Sequence, residues 1–220
     1  MKKRLSILLI IGLLTSLFSN LTFAQNNAKP DQPTHLTVNA LDNPSGVHEP
    51  TFGWHVNDPD DDEIQTKYQI IVSSSPENIQ DNIGDVWDSG EVSSSKQSAI
   101  YYEGERLESN TRYYWKVRTW DAHGEKSAYS DVAYFDTGLL SNEDWQGAKW
   151  IKRDTDDRED YTYARKNVSL PDKEIKRAMA YISATHTYNL YINEQLIGKG
   201  PTFAEPQYQY YNSFDVTDVL

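Results

Sequence analysis

At 220 residues the chain has room for one large domain or two small ones, and 33 acidic against 21 basic residues give it a formal net charge of −12. That balance argues against nucleic acid, which needs Lys and Arg to neutralise its phosphates, and against adhesion to anionic membrane surfaces. Cysteine is absent, so disulfides and a cysteine-linked lipid anchor are both excluded and stability must come from hydrophobic cores.

The first 24 residues read as an export signal. Lys2, Lys3 and Arg4 form a basic start, LSILLIIGLL is the apolar stretch, and Thr22-Phe23-Ala24 places small residues at −3 and −1 of a cleavage site between Ala24 and Gln25. The apolar run is broken by Thr15, Ser16, Ser19 and Asn20, which makes it short for a bilayer span, so no membrane attachment is expected after processing. Losing Lys2, Lys3 and Arg4, with no acidic residue lost, takes the formal charge from −12 to −15. The expected location is the periplasm or surroundings of a bacterium. Residues 25–32 are polar, with Pro30, and read as a flexible leader.

From Pro33 the pattern is antiparallel β, rich in Trp, Tyr and Phe. THLTVNAL places Leu36, Val38 and Ala40 or Leu41 inward, EPTFGWHV places Phe52, Trp54 and Val56 on one face, and TKYQIIVSS places Tyr68, Ile70 and Val72 together. DVWDSGEV and QSAIYY are short extended pieces. TRYYWKVRTWD is the strongest strand, with Tyr113, Trp115, Val117 and Thr119 facing one way, and DVAYFDTG closes the set. Seven short strands over about 105 residues predict a β-sandwich across residues 33–138. In LESNTRYYWKV, Tyr113 follows a turn and is placed to bond back across the corner, which resembles the tyrosine corner of fibronectin type III domains.

Residues 139–150 read as a linker whose Trp145 and Trp150 flank Gly147. The two indoles are expected to wedge between domains, with an aromatic sugar platform as the alternative. Residues 151–220 then give a charged loop, further strands, and the hairpin YNLYINEQLIGKG. Its Asn193-Glu194 turn lacks the glycine that suits two positive φ angles, so a longer turn or another type is expected.

Candidate sites are sparse. The acidic run Asn57–Glu63 and the mixed run Arg153–Asp160 read as solvated loops; the first could hold calcium, although it lacks the loop glycine and distal glutamate of a helix-loop-helix site. His35, His48, His55, His123 and His186 are isolated in sequence, so no metal site is expected, and no cofactor motif is present. Tyr208, Tyr210 and Tyr211 are the best ligand contacts, since aromatic faces stack on sugars, though alternating tyrosines also fill sheet faces.

YQIIVSSSPE, VWDSGEVSS, YYEGERLESNTRYYWKVRTWDAHGEKSAYSDVAYFDTGLL, DWQGAKWI, AYISATHTYNLYINEQLIGKGP and YQYYNSFDVTDVL together resemble the N-terminal region of bacterial alpha-L-rhamnosidases of glycoside hydrolase family 78. The resemblance implies an all-β fold: a fibronectin type III-like sandwich, then an incomplete jelly roll of carbohydrate-binding type over residues 151–220. It implies a catalytic helical barrel further on in such enzymes, and a rhamnose-containing plant or algal glycan as partner. The family often has a tryptophan in the loop before its YDVT-like segment, where this chain has Phe203 and Pro206. No residue matches a catalytic carboxylate motif, so none is assigned and the region is expected to be inactive alone. The alternative is a stand-alone carbohydrate-binding or structural module. An incomplete jelly roll exposes sheet edges and apolar faces, so residues 150–220 are expected to fold poorly in isolation while 33–138 fold cooperatively.

Overall fold

The structure is a computed structural model that describes residues 27–60, 63–154, 161–170, 172–200 and 209–220. Residues 1–26, and with them the Ala24–Gln25 cleavage site, lie outside the described residues, as does Tyr208.

Eight strands form the first unit: β1 (Asp31–Val38), β2 (Thr51–Asn57), β3 (Lys67–Ser73), β4 (Trp87–Asp88), β5 (Val92–Ser93), β6 (Ile100–Tyr101), β7 (Arg112–Trp120) and β8 (Ala133–Asp136). One antiparallel sheet runs β1-β2-β6 and the other β4-β3-β7-β8, with β5 also pairing β3. The alternation explains the packing. Phe52 and Trp54 point inward from the first sheet, and Ile70, Val72, Trp115, Val117 and Phe135 meet them from the second. Side chains at every second position of facing sheets fill one shared core. Tyr113 makes the expected corner: its hydroxyl accepts from the Glu108 N–H at 2.9 Å.

Two local expectations are corrected. β1 begins at Asp31, which pairs with Asn57, so the last two residues read as leader belong to the sheet. Neither Ala40 nor Leu41 points inward. Asn39 and Ala40 adopt φ of 52° and 61°, and the tight turn they make, closed by the Val38–Leu41 backbone pair, leaves Leu41 61% exposed. A short helix, α1 (Pro76–Gln80), follows β3. Ser75 caps it by accepting from Asn78 N–H, Pro76 suits its first turn, and Ile79 is buried. Five residues are too few to show a helical period in the sequence.

The second unit has β9 (Met179–Ser183), β10 (Tyr188–Ile192), β11 (Gln195–Gly200) and β12 (Tyr211–Asp215). They form two two-stranded antiparallel sheets, β9 with β12 and β10 with β11. Its burial is shallow, with Val216 the one residue beyond position 150 classed as buried among the described residues. The β10–β11 turn differs from expectation. Ile192 pairs directly with Gln195, and Asn193 and Glu194 take φ of 48° and 69°, the positive pair that a two-residue type I′ turn demands. Asn193 tolerates that region and anchors the turn by donating to Val219 O at 2.7 Å. Glu194 has no such excuse. Glu194→Gly is therefore expected to stabilise the hairpin by about 1 kcal/mol, seen as slower hydrogen exchange of β10 and β11 amides. Faster exchange would show that the glutamate side chain contributes more than its backbone costs.

Candidate functional site at the junction of the two units

The chain runs from the end of β8 through Gly138, and the side chain of Tyr211 from β12 comes back to meet it there. A Cβ at position 138 would overlap the Tyr211 hydroxyl, so this approach requires glycine. The hydroxyl accepts from Leu139 N–H at 2.9 Å and shares a hydrogen bond with His48 Nε2 at 2.8 Å. Burial raises the Tyr211 hydroxyl above the ordinary tyrosine range, so it is protonated at neutral pH. Trp145 and Tyr181 stand edge-on to the Tyr211 ring, at centroid distances of 5.6 and 6.0 Å.

Polar contacts extend this seam. Tyr181 Oη donates to Asn110 Oδ1 and Arg177 Nη1 to Asn110 O, both at 2.9 Å. Ser45 and Ser213 hydroxyls lie 3.1 Å apart. Asp136, at the end of β8, receives Arg112 Nε and Nη2 at 2.9 Å each, and Arg177 Nη2 lies 3.4 Å from Oδ1, the oxygen that accepts from Arg112 Nε. One carboxylate is thus shared by a guanidinium from each unit.

The segment between the units is pinned by Asp144. Its carboxylate accepts from the Ser109 hydroxyl at 2.5 Å, Ser141 N–H at 2.7 Å and the Ser141 hydroxyl at 2.8 Å. The bonds from Ser109 and Ser141 hold the Asp144 carboxyl below its usual range, and the Thr217 hydroxyl does the same for Asp215. A carboxyl whose folded pKa is depressed stabilises fully above its unfolded value of about 3.9 and loses that contribution as pH falls through the folded value. Thermal unfolding of the native chain is expected to drop more between about pH 5 and about pH 3 than that of Asp144→Asn. Parallel curves would remove Asp144 from the account.

Beside Tyr211 the seam opens into a cleft of about 690 Å³, lined among others by His48, Asn142, Trp145, Trp150, Ser183 and Tyr211. The sequence candidates separate here. Trp145 is half-buried against Tyr211, whereas Trp150 is 63% exposed at the cleft and does not wedge between the units. The chain reverses between them, where Gln146 and Gly147 take φ of 51° and 77°. Tyr210 is exposed, Tyr211 is engaged at the seam, and Tyr208 lies outside the described residues. His48, Asn142 and Ser183 were not singled out as ligand contacts; His48 and Ser183 meet the tryptophans only in the fold, and Asn142, three residues before Trp145, carries no motif that marks it. The histidines are not all isolated: the His35 and His55 rings stack at 4.6 Å. Among the described residues no group of three His, Cys, Asp or Glu could hold a metal ion, and no helix is long and apolar enough to cross a membrane.

Two facing antiparallel sheets closed by a tyrosine corner define an immunoglobulin-like sandwich, here docked on a second β unit. Residues 33–141 belong to the family described as the Rha78A-like, N-terminal immunoglobulin domain, and the chain is a relative of the N-terminal region of alpha-L-rhamnosidases. An alpha-L-rhamnosidase of Formosa agariphila is 31% identical, the match covering 84% of this chain and 22% of the relative. One of Alteromonas sp. (strain LOR) is 34% identical over 83% of this chain and 21% of its own. The solved alpha-L-rhamnosidase from Dictyoglumus thermophilum superposes with a TM-score of 0.74 at 35% identity, covering 89% of this chain and 24% of that one. The native enzyme from Aspergillus terreus shares the fold, with a TM-score of 0.66 at 22% identity over 86% of this chain and 22% of that one. The chain therefore spans about a fifth of the length of the curated relatives it matches.

Proposed function

We propose that this chain is the non-catalytic N-terminal region of an exported alpha-L-rhamnosidase-like glycoside hydrolase acting on terminal rhamnose of plant or algal polysaccharides and glycosides. Its work is positional: the sandwich is an abutment against which the second β unit is held. The observation that carries this reading is the Tyr211 seam, where one hydroxyl bonded to Leu139 and His48 ties β12 to the sandwich. Export is supported by the basic and apolar start of the sequence, and the substrate class by the names of the relatives. A second reading, a stand-alone carbohydrate-binding module, draws on the exposed Trp150 beside the junction cleft.

Hydrolysis by inversion needs two carboxylates about 6.5–9.5 Å apart across the scissile bond, and no carboxylate of this chain matches a catalytic motif. The purified chain, at high concentration, is expected to release no p-nitrophenol from p-nitrophenyl alpha-L-rhamnoside. Release that persists through repeated purification would place catalytic carboxylates in these β units and overturn the reading.

A further inference from the structure

We propose that the junction cleft is a saccharide subsite that takes a terminal L-rhamnosyl residue, with the Trp150 indole as its stacking face and the two β units as its walls. The choice of L-rhamnose rests on the function proposed above.

Ligand pockets form preferentially between domains, where a largely apolar surface carries a few convergent polar groups. This cleft lies between the two units and is more polar than that, with apolar and polar side chains lining it in comparable measure. Its size, about 690 Å³, suits a small ligand. One wall is rigid, because Trp145 is packed edge-on against Tyr211 and the Tyr211 hydroxyl is bonded to Leu139 N–H and His48. Trp150 contrasts with it, being 63% exposed and without a ring partner among the described residues. An indole held at the edge of a cleft offers an apolar face to the C–H surface of a pyranose. In L-rhamnose a methyl group replaces a hydroxymethyl, which enlarges that apolar surface.

The polar groups fit hydroxyl recognition. Ser183 Oγ donates to Tyr210 O at 2.7 Å, which leaves its lone pairs free to accept. The Asn142 side-chain amide lines the cleft without a hydrogen-bond partner among the described residues and offers both a donor and an acceptor. Among the described residues no Asp or Glu lines the cleft. Hydrolysis would need two carboxylates across the scissile bond, and the described lining supplies groups for holding a sugar rather than for cleaving it.

The test is a titration of the ¹⁵N-labelled chain with L-rhamnose, followed at the indole N–H signals. Trp145 and Trp150 signals are expected to shift together and saturate, while those of the buried Trp54 and Trp115 stay in place. Trp150→Ala should weaken binding by about tenfold or more with the remaining spectrum preserved, and Asn142→Ala should weaken it through a residue outside the aromatic wall. Absence of any shift at Trp145 and Trp150, or a titration unchanged by Trp150→Ala, would overturn the inference. That failure is distinct from failure of the proposed function, which turns on p-nitrophenol release and is read without reference to this cleft.

Discussion

Trp115→Ala is expected to destabilise the sandwich by about 4 kcal/mol and to lower its melting temperature by on the order of 15 °C. Trp115 is fully buried on β7. Its ring lies 4.7 Å from that of Phe52, which in turn contacts Trp87 at 5.9 Å and Phe135 at 6.1 Å. Deleting the indole removes contacts from both sheets at once and leaves a void that flanking β3 and β8, paired to it at Val72 and Ala133, are not free to fill. The indole N–H has no hydrogen-bond partner among the described residues. Trp115→Phe keeps the aromatic contact and sheds that buried unpaired donor, so it should cost less, about 1–2 kcal/mol. Urea unfolding of the two variants separates the contributions. If alanine cost no more than phenylalanine, the void would not be what destabilises the protein.

The sandwich was legible because its signal is local. Large apolar residues at every second position of TFGWHV and YYWKVRTW mark one buried face whatever the neighbouring strands do, and a tyrosine corner is a fixed spacing within one segment. The junction was not legible for the opposite reason. His48 and Tyr211 are 163 residues apart, and Asn110 meets Arg177 and Tyr181 only after both units have folded. The tryptophans show the same limit at short range. Trp145 and Trp150 look alike in sequence, and a reversal at Gln146-Gly147 separates the one that packs on Tyr211 from the one exposed at the cleft. At Asn193-Glu194 the misreading came from trusting local preference, since pairing of β10 with β11 imposes the turn that Glu194 disfavours.

The second large effect is expected at Asp136. Register sets Asp136 opposite Arg112 across β7 and β8, and the two make a bidentate pair while Arg112 also lies over the Tyr134 ring at 4.0 Å. Asp136 is 3% exposed, so water replaces little of what a substitution removes. Arg177 reaches the same carboxylate at 3.4 Å, near enough to pair in charge although its Nε and Nη2 are not aligned for hydrogen bonds. Asp136→Ala leaves two guanidiniums beside each other with only the more exposed Asp215, 3.9 Å from Arg112 Nη2, as counter-charge, and breaking a buried pair from one side is costly because the remaining charge stays buried. Discounted for the partial exposure of both arginines, the expected loss is about 3 kcal/mol. Arg177→Met removes only the cation of the second unit and should leave the sandwich near its native stability while loosening the seam. The double variant tests the connection: if Asp136 holds both units, Arg177→Met costs less in an Asp136→Ala background than alone, by about 0.5 kcal/mol or more. Strictly additive losses would mean that Asp136 serves the sandwich alone, and that Tyr211 carries the docking without it.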